Sequence, residues 1–289
     1  MQIPAHPGDR RERAVVATLE FDALGTRWWL EARQGEFTAA LRAEIATLVA
    51  DFVHAYSRFE PTSLLNQLGT TGTLPNPPTE LLDMLTFARD LHAHSGGVFN
   101  ISIGGALEQA GYGSGPGGQV HADLWQRTHL SPELLTVPAG VRLDLGGFGK
   151  GWLIDKLAEH CRAAGLAQLI VNGGGDLRVI SPTPVSLALE HPYNPQLQVG
   201  QTQLTNGGLA VSSTVKRVWV TDGVEHHHLF DPTTAASSST DVVTVYVKAP
   251  TARLADAVAT ILMLDPTQRS HLETTYGAQA IVLRHDQLT

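Results

Sequence analysis

The stretch Val141-Arg-Leu-Asp144-Leu-Gly-Gly-Phe-Gly-Lys150-Gly-Trp-Leu-Ile-Asp155 organises the chain. Its apolar alternation from Val141 to Leu145 predicts a buried strand, and its glycines predict a tight turn. A helix is expected from Trp152 to Ala164, because Ile154, Leu157, Ala158 and Cys161 recur at i, i+3, i+4 and i+7. A second buried strand, Gln168 to Val171, runs into Asn172-Gly-Gly-Gly-Asp176. The unit reads strand, glycine turn, helix, strand, glycine turn.

Working outward, Val15 to Leu30 reads as two short strands around Leu24-Gly25-Thr26, and Phe37 to Phe59 as a helix with Leu41, Ile45, Leu48 and Phe52 on one face. Gly69 to Pro78 reads as a loop. A second amphipathic helix, Glu80 to His94, ends at Ser95-Gly96-Gly97. The glycine-rich Gly104 to Gly118 reads as an ordered loop or a lid. Downstream, strands are expected at Val185 to Glu190, Arg217 to Val220, Glu225 to Phe230, Val242 to Lys248 and Ala280 to Leu283, interrupted by a helix from Ala252 to Leu264. Asp222-Gly223 is a hairpin-turn pair of the kind that needs φ > 0. The expected class is α+β (mixed α/β): mixed sheets packed with helices, after a flexible tail over 1–14, in one domain over 15–289 with room for two lobes.

Composition agrees with an ordered enzyme: 289 residues, 43% hydrophobic and 17% charged, with 28 glycines. The net charge of -8, with no basic run, excludes a nucleic-acid role. The single cysteine, Cys161, excludes an internal disulfide and a Cys-rich metal motif. No apolar run approaches the roughly 20 residues of a membrane span, and no signal-peptide core is seen, so a cytoplasmic protein is expected.

Four motifs carry chemistry, each with a plainer alternative. Asp144 to Lys150 sets a carboxylate at a strand end, glycines that let a ligand approach the backbone, and a lysine near a helix start. It is anion-binding chemistry without P-loop spacing, or a tight turn with a solvated lysine. Asn172 to Asp176 is a backbone pocket or a plain turn. Asp256 and Thr260, at i, i+4 on one helix edge, suit a hard cation such as Mg²⁺ once carbonyls and water complete the set. The same pair also suits an Asp near a helix start and a Thr bonded back to its own helix. In His226-His227-His228 adjacent strand residues face opposite ways, so the three rings cannot converge on one ion. His228 is the candidate general base, or a surface histidine.

Taken in order, these segments resemble the FAD:protein FMN transferases, the ApbE family. Leu24-Gly25-Thr26 is similar to the family's Met-Gly-Thr, and Ser57-Arg-Phe59-Glu-Pro-Thr-Ser63-Leu-Leu-Asn66 to its Ser-x-aromatic…Ser-x-x-x-x-Asn. Ser95-Gly-Gly-Val-Phe99-Asn100-Ile-Ser102 resembles Ser-Gly-Gly-x-Phe-Asp-x-Thr, and Asp144 to Asp155 resembles Asp-Leu-Gly-Gly-x-x-Lys-Gly-x-x-x-Asp. Asn172 to Asp176, Ala210 to Ser213, His228-Leu-Phe-Asp231-Pro232 and Ala255-Asp256-Ala-Val-Ala-Thr260 match the remaining family segments. Asn100 stands where Asp is usual, Thr214 where Gly follows Ser, and Ala235 where Gly closes the Asp-Pro turn.

The resemblance implies an ApbE/T-fold-like architecture with the flavin site in a cleft. It implies FAD binding by Leu24, Phe59, Phe99, Asn100, Asp144, Lys150, His228 and Leu229, and a Mg²⁺ site made by Gly147, Asp256 and Thr260. It also implies catalytic roles for His228 and Lys150, and transfer of FMN from FAD to a Thr or Ser hydroxyl of an acceptor protein, with AMP released. The rivals are an FAD pyrophosphatase, with water as the nucleophile, and a non-catalytic FAD-binding protein.

Overall fold

The computed structural model describes residues 16–288; the expected tail at 1–14 lies outside them. Strands β1 (Ala17–Ala23) and β2 (Thr26–Gln34) pair through Leu24 and Gly25, both at positive φ (49° and 68°), as a two-residue hairpin demands. Helix α1 (Ala39–Tyr56) buries Leu41, Ile45, Val49, Phe52 and Tyr56, while Leu48 is only half-buried. The stretch expected as a loop from Gly69 instead begins inside helix α2 (Leu64–Thr71), capped by the Ser63 hydroxyl, and continues as strand β3 (Thr73–Pro75). Helix α3 (Thr79–His94) follows as expected.

Residues Gly104–Gln109, read as loop or lid, form helix α4. Leu107 from this segment packs with Ala106 and Phe230. Two short strands, β4 (His129–Leu130) and β5 (Leu134–Thr136), make a small sheet with β3.

The expected strand Val141 to Leu145 is extended and alternately buried, yet it joins no sheet. It threads between helices: Gly140 N–H donates to Gly69 O (2.7 Å), and a Cβ on Gly104 would lie 2.6 Å from the Arg142 carbonyl. Alternation therefore reported burial on one side only, because the neighbours are glycine-faced helices rather than strands.

Helix α5 (Gly149–Ala163) leads to strand β6 (Ala167–Gly173), and then to the long pair β7 (Asp176–His191) and β8 (Asn194–Ser213). β9 (Val218–Thr221) and β10 (Val224–His227) form a separate hairpin about Asp222 and Gly223 (φ 52° and 79°). The strand expected over Glu225 to Phe230 breaks at His228-Leu229, and β11 (Phe230–Asp231) pairs instead with β12 (Ala236–Ser237). Strand β13 (Val242–Ala249), helix α6 (Ala252–Leu264), helix α7 (Arg269–Tyr276) and strand β14 (Gln279–Arg284) complete the chain.

The main sheet runs β1-β2-β6-β7-β8-β13-β14, and every pairing in it is antiparallel. Both faces are apolar. Leu169, Val171, Val245 and Val247 belong to the large core with α5 and α6, while Ile170 and Tyr246 belong to a second core on the other face. Among the described residues no helix is long and apolar enough to cross a membrane.

Candidate functional site

Two adjoining lobes of one cleft open where α5, α6 and the glycine turns meet. The larger has a volume of about 590 Å³ and the smaller about 170 Å³, and Phe59, Tyr112, Asp144, Gly146, Lys150 and Arg217 line both. Leu24 lies in the larger lobe; Phe99, Asn100, Gly147, His228, Leu229, Asp256 and Thr260 lie in the smaller. The candidate catalytic, flavin-binding and metal residues thus all line one cleft.

Lys150 stands in the first turn of α5. Its ammonium donates to Asp176 and, at 3.3 and 3.4 Å, to the two oxygens of Asp256. Burial works against the lysine's charge, but Asp176 and Asp256 outweigh it and hold the ammonium above the ordinary lysine range. Asp256 also accepts the Gly151 N–H of α5 at 3.0 Å. Its carboxyl is raised, chiefly by burial, with Asp176 adding and Lys150 opposing.

The Thr260 hydroxyl has two carbonyls within reach of its one proton, that of Asp256 (3.1 Å) on its own helix and that of Gly147 (3.3 Å) in the glycine turn. Asp176 was missed as a site residue; its second oxygen accepts the Val211 N–H at 2.9 Å. The signal was its place at the end of three glycines.

Helix α6 is fixed where these oxygens need it. The Asp155 carboxylate, on α5, accepts the Ala252 and Arg253 N–H groups at 2.9 and 3.0 Å, and Thr251 caps Leu254. A Cβ on Gly151 would lie 2.5 Å from the Ala252 carbonyl, so α5 and α6 touch only because that residue is glycine.

This arrangement fits a divalent cation. When both buried carboxylates are ionised, one ammonium leaves the cluster with a negative charge in excess. The nearby donors, a carboxylate, a hydroxyl and the Gly147 carbonyl, are all oxygen. Among the described residues no three carboxylate, imidazole or thiol groups converge, so carbonyl, hydroxyl and water must complete such a shell.

Asp144 is held by the buried Arg58 and accepts the Gly146 N–H at 2.6 Å. The Asn100 departure has a local reason. Its oxygen accepts from Ser102 N–H (2.9 Å) and the Ser102 hydroxyl (2.8 Å), while its NH₂ donates to the His121 carbonyl (3.1 Å). An ionised Asp would face that carbonyl without a proton to give.

The three histidines separate as the strand geometry requires. His226 stacks on Trp219 (5.7 Å), and His227 bonds the Ser238 carbonyl (3.0 Å). His228, at the strand break, lines the cleft with its Nδ1 buried and unpartnered. Burial first, then Arg217, Lys150 and His227, push its ring down to about 3, although a bond to the Lys216 backbone works the other way. The ring is held neutral, and the burial and cations that keep it so also oppose its taking up a proton until an anion enters the cleft.

Residues 24–282 match the model of the ApbE family. The FAD:protein FMN transferase of Rhodobacter capsulatus is 29% identical over 249 residues, covering 80% of this chain and 47% of its own length. The chain therefore spans less than half of that relative. The FAD:protein FMN transferase of Escherichia coli K12 is 25% identical over 275 residues, covering 86% of this chain and 78% of its own length. In structure, the ApbE protein of Thermotoga maritima superposes with a TM-score of 0.79 at 21% identity, over 93% of this chain and 94% of that one. The flavin transferase ApbE of Vibrio cholerae gives 0.77 at 20%, over 93% of each chain. A family match that runs from the β1–β2 turn to the last strand takes in the whole cleft, and the chain belongs to the ApbE family.

Proposed function

We propose that this chain is an FAD:protein FMN transferase that moves the FMN half of FAD onto a Thr or Ser hydroxyl of an acceptor protein, with AMP as the leaving group. The observation that carries the reading is the meeting of Lys150, Asp176, Asp256, Thr260, the Gly147 carbonyl and His228 in one two-lobed cleft.

In the reaction the acceptor oxygen forms a bond to the FMN-side phosphorus, the bond from that phosphorus to the bridging oxygen breaks, and AMP leaves with the electron pair. His228 takes the hydroxyl proton on its free ring nitrogen. Lys150, held by Asp176, keeps a fixed positive charge beside the pyrophosphate. Asp256, Thr260 and the Gly147 carbonyl hold magnesium, which when bound neutralises phosphate charge. Leu24, Phe59, Phe99, Asn100, Asp144 and Leu229 bind the dinucleotide.

The test is incubation of the pure protein with FAD and Mg²⁺, with and without candidate acceptor proteins, followed by in-gel flavin fluorescence and separation of FMN from FAD. A covalently fluorescent acceptor is expected. Free FMN alone marks a hydrolase, and unchanged FAD throughout sinks the reading.

A further inference from the structure

Arg58 is a charged side chain only 4% exposed, on the link between α1 and α2, and the reaction itself gives it no task. It donates through Nε to Asp144 and through Nη2 to the Tyr112 carbonyl at 2.9 Å; its Nη1 lies 3.8 Å from Glu108, which in turn pairs with Arg142 at 2.7 Å. Its guanidinium also lies over two aromatic rings, 4.1 Å from the Phe59 centroid and 5.1 Å from that of Tyr112. Those rings meet edge to face at 5.7 Å.

Phe59 is 57% exposed, in the wall of the cleft rather than in the core. A large apolar side chain in that position is ordinarily free to change rotamer. Here one face is occupied by a cation that is itself tethered to Asp144 and to the Tyr112 backbone, so the ring is held from behind. Gly113, at φ +99°, keeps the space clear: a Cβ there would come within 3.0 Å of the Phe59 ring and 3.1 Å of the Arg58 Nη1.

The Tyr112 ring is itself stacked on Trp219 at 4.8 Å, so it backs the pair and Phe59 presents the open face. We propose that Arg58 is a positioning residue that, braced by Tyr112, sets Phe59 as a rigid stacking platform for a planar heteroaromatic ring of FAD. The inference rests on the flavin reading above. Isoalloxazine and adenine share the required chemistry, a flat polarisable ring.

The experiment titrates wild type, Arg58→Lys, Phe59→Leu and the double variant with FAD, FMN and AMP, and records flavin absorption spectra and thermal midpoints. Lysine keeps a charge for Asp144 but has no plane to lay under Phe59 and no fork to reach Tyr112 at the same time. Arg58→Lys is expected to melt lower but still fold, to bind FAD roughly ten-fold more weakly at temperatures where it is fully native, and to lose part of the flavin's spectral shift. The double variant should be no weaker than the weaker single, because Arg58 acts through Phe59. Weakening toward FMN assigns the platform to isoalloxazine; weakening toward AMP assigns it to adenine. Wild-type affinity and spectrum in Arg58→Lys, or losses that add in the double variant, overturn the proposal. If Arg58→Lys unfolds, Phe59→Leu still decides, since unchanged FAD binding there leaves no platform to position. A wild-type protein that binds none of the three ligands sinks the flavin reading itself.

Discussion

The Thr260 hydroxyl reaches the Gly147 carbonyl at 3.3 Å, joining α6 to the glycine turn before α5 across 113 residues of sequence. On the proposed function this carbonyl and hydroxyl share a cation with the Asp256 carboxylate. Asp256→Asn should therefore leave the fold intact, since an amide oxygen can still accept the Gly151 N–H, and should cut turnover at ordinary Mg²⁺ by about 10- to 100-fold or more. Activity measured against a Mg²⁺ series checks it; an unchanged midpoint would remove Asp256 from the ligand set.

Asp155 is expected to matter for a different reason. Asp155→Ala leaves the Ala252 and Arg253 N–H groups without their acceptor, at a cost of about 1–3 kcal/mol. The variant should melt lower and respond more weakly to Mg²⁺, because α6 carries Asp256 and Thr260. Thermal unfolding read together with the Mg²⁺ midpoint tests the coupling, and a pure stability loss with a normal midpoint would break it.

The residues that were legible in the sequence are those whose environment is local. Helix α6 was readable to its ends because its apolar stripe is unbroken, and the Asp222-Gly223 turn because its φ values favour those residue types; at the first hairpin only Gly25 carried that signal, since Leu24 takes φ 49° against its preference. Helix α7 buries only Leu272, and the first half of β8 is exposed and rich in glutamine, so neither has a strong period to show. The antiparallel order of the sheet depends on pairings between distant segments, which periodicity does not encode. Arg58 and Asp176 were missed for the same reason: each is explained by partners 86 and 26 residues away, Asp144 and Lys150.

Ala235 stands at φ +53°, left-handed backbone that an L side chain enters at a cost of about 1–2 kcal/mol. Its N–H closes the turn onto the Asp231 carbonyl at 2.9 Å. Ala235→Gly should stabilise the protein by up to about 1 kcal/mol, after allowance for the freer unfolded chain. Denaturant midpoints decide it, and a destabilised variant would show that the methyl group does more than strain the turn.

The depressed ionisation of His228 also has a signature in stability. Its folded value, about 3, lies below the ordinary 6.5, so between these limits the unfolded chain binds a proton that the native chain refuses. That contribution to stability is complete above the unfolded value and is lost as the pH falls below it. Asp256, raised in the fold, works in the opposite sense over part of the same range, so the wild-type curve alone is a mixture. His228→Gln should lose less stability than wild type between about pH 7 and pH 5. Parallel curves would mean that the ring ionises normally in the native protein.

The role of His228 in turnover is the sharpest test of the site. If its neutral ring takes the acceptor's proton, His228→Ala should slow single-turnover transfer by at least roughly 100-fold, the low end for a lost general base, with FAD affinity barely changed. Burial and the neighbouring cations hold the ring down at about 3. The ring is then unprotonated throughout the working range, so the wild-type rate should show no histidine limb across about pH 5.5 to 9. A limb near the ordinary histidine value that vanishes in the variant would mean that bound pyrophosphate restores the ring's basicity, since a neighbouring anion favours the charged form. A variant that binds FAD poorly yet transfers at the normal rate when saturated would make His228 a packing residue and leave the proton to the solvent.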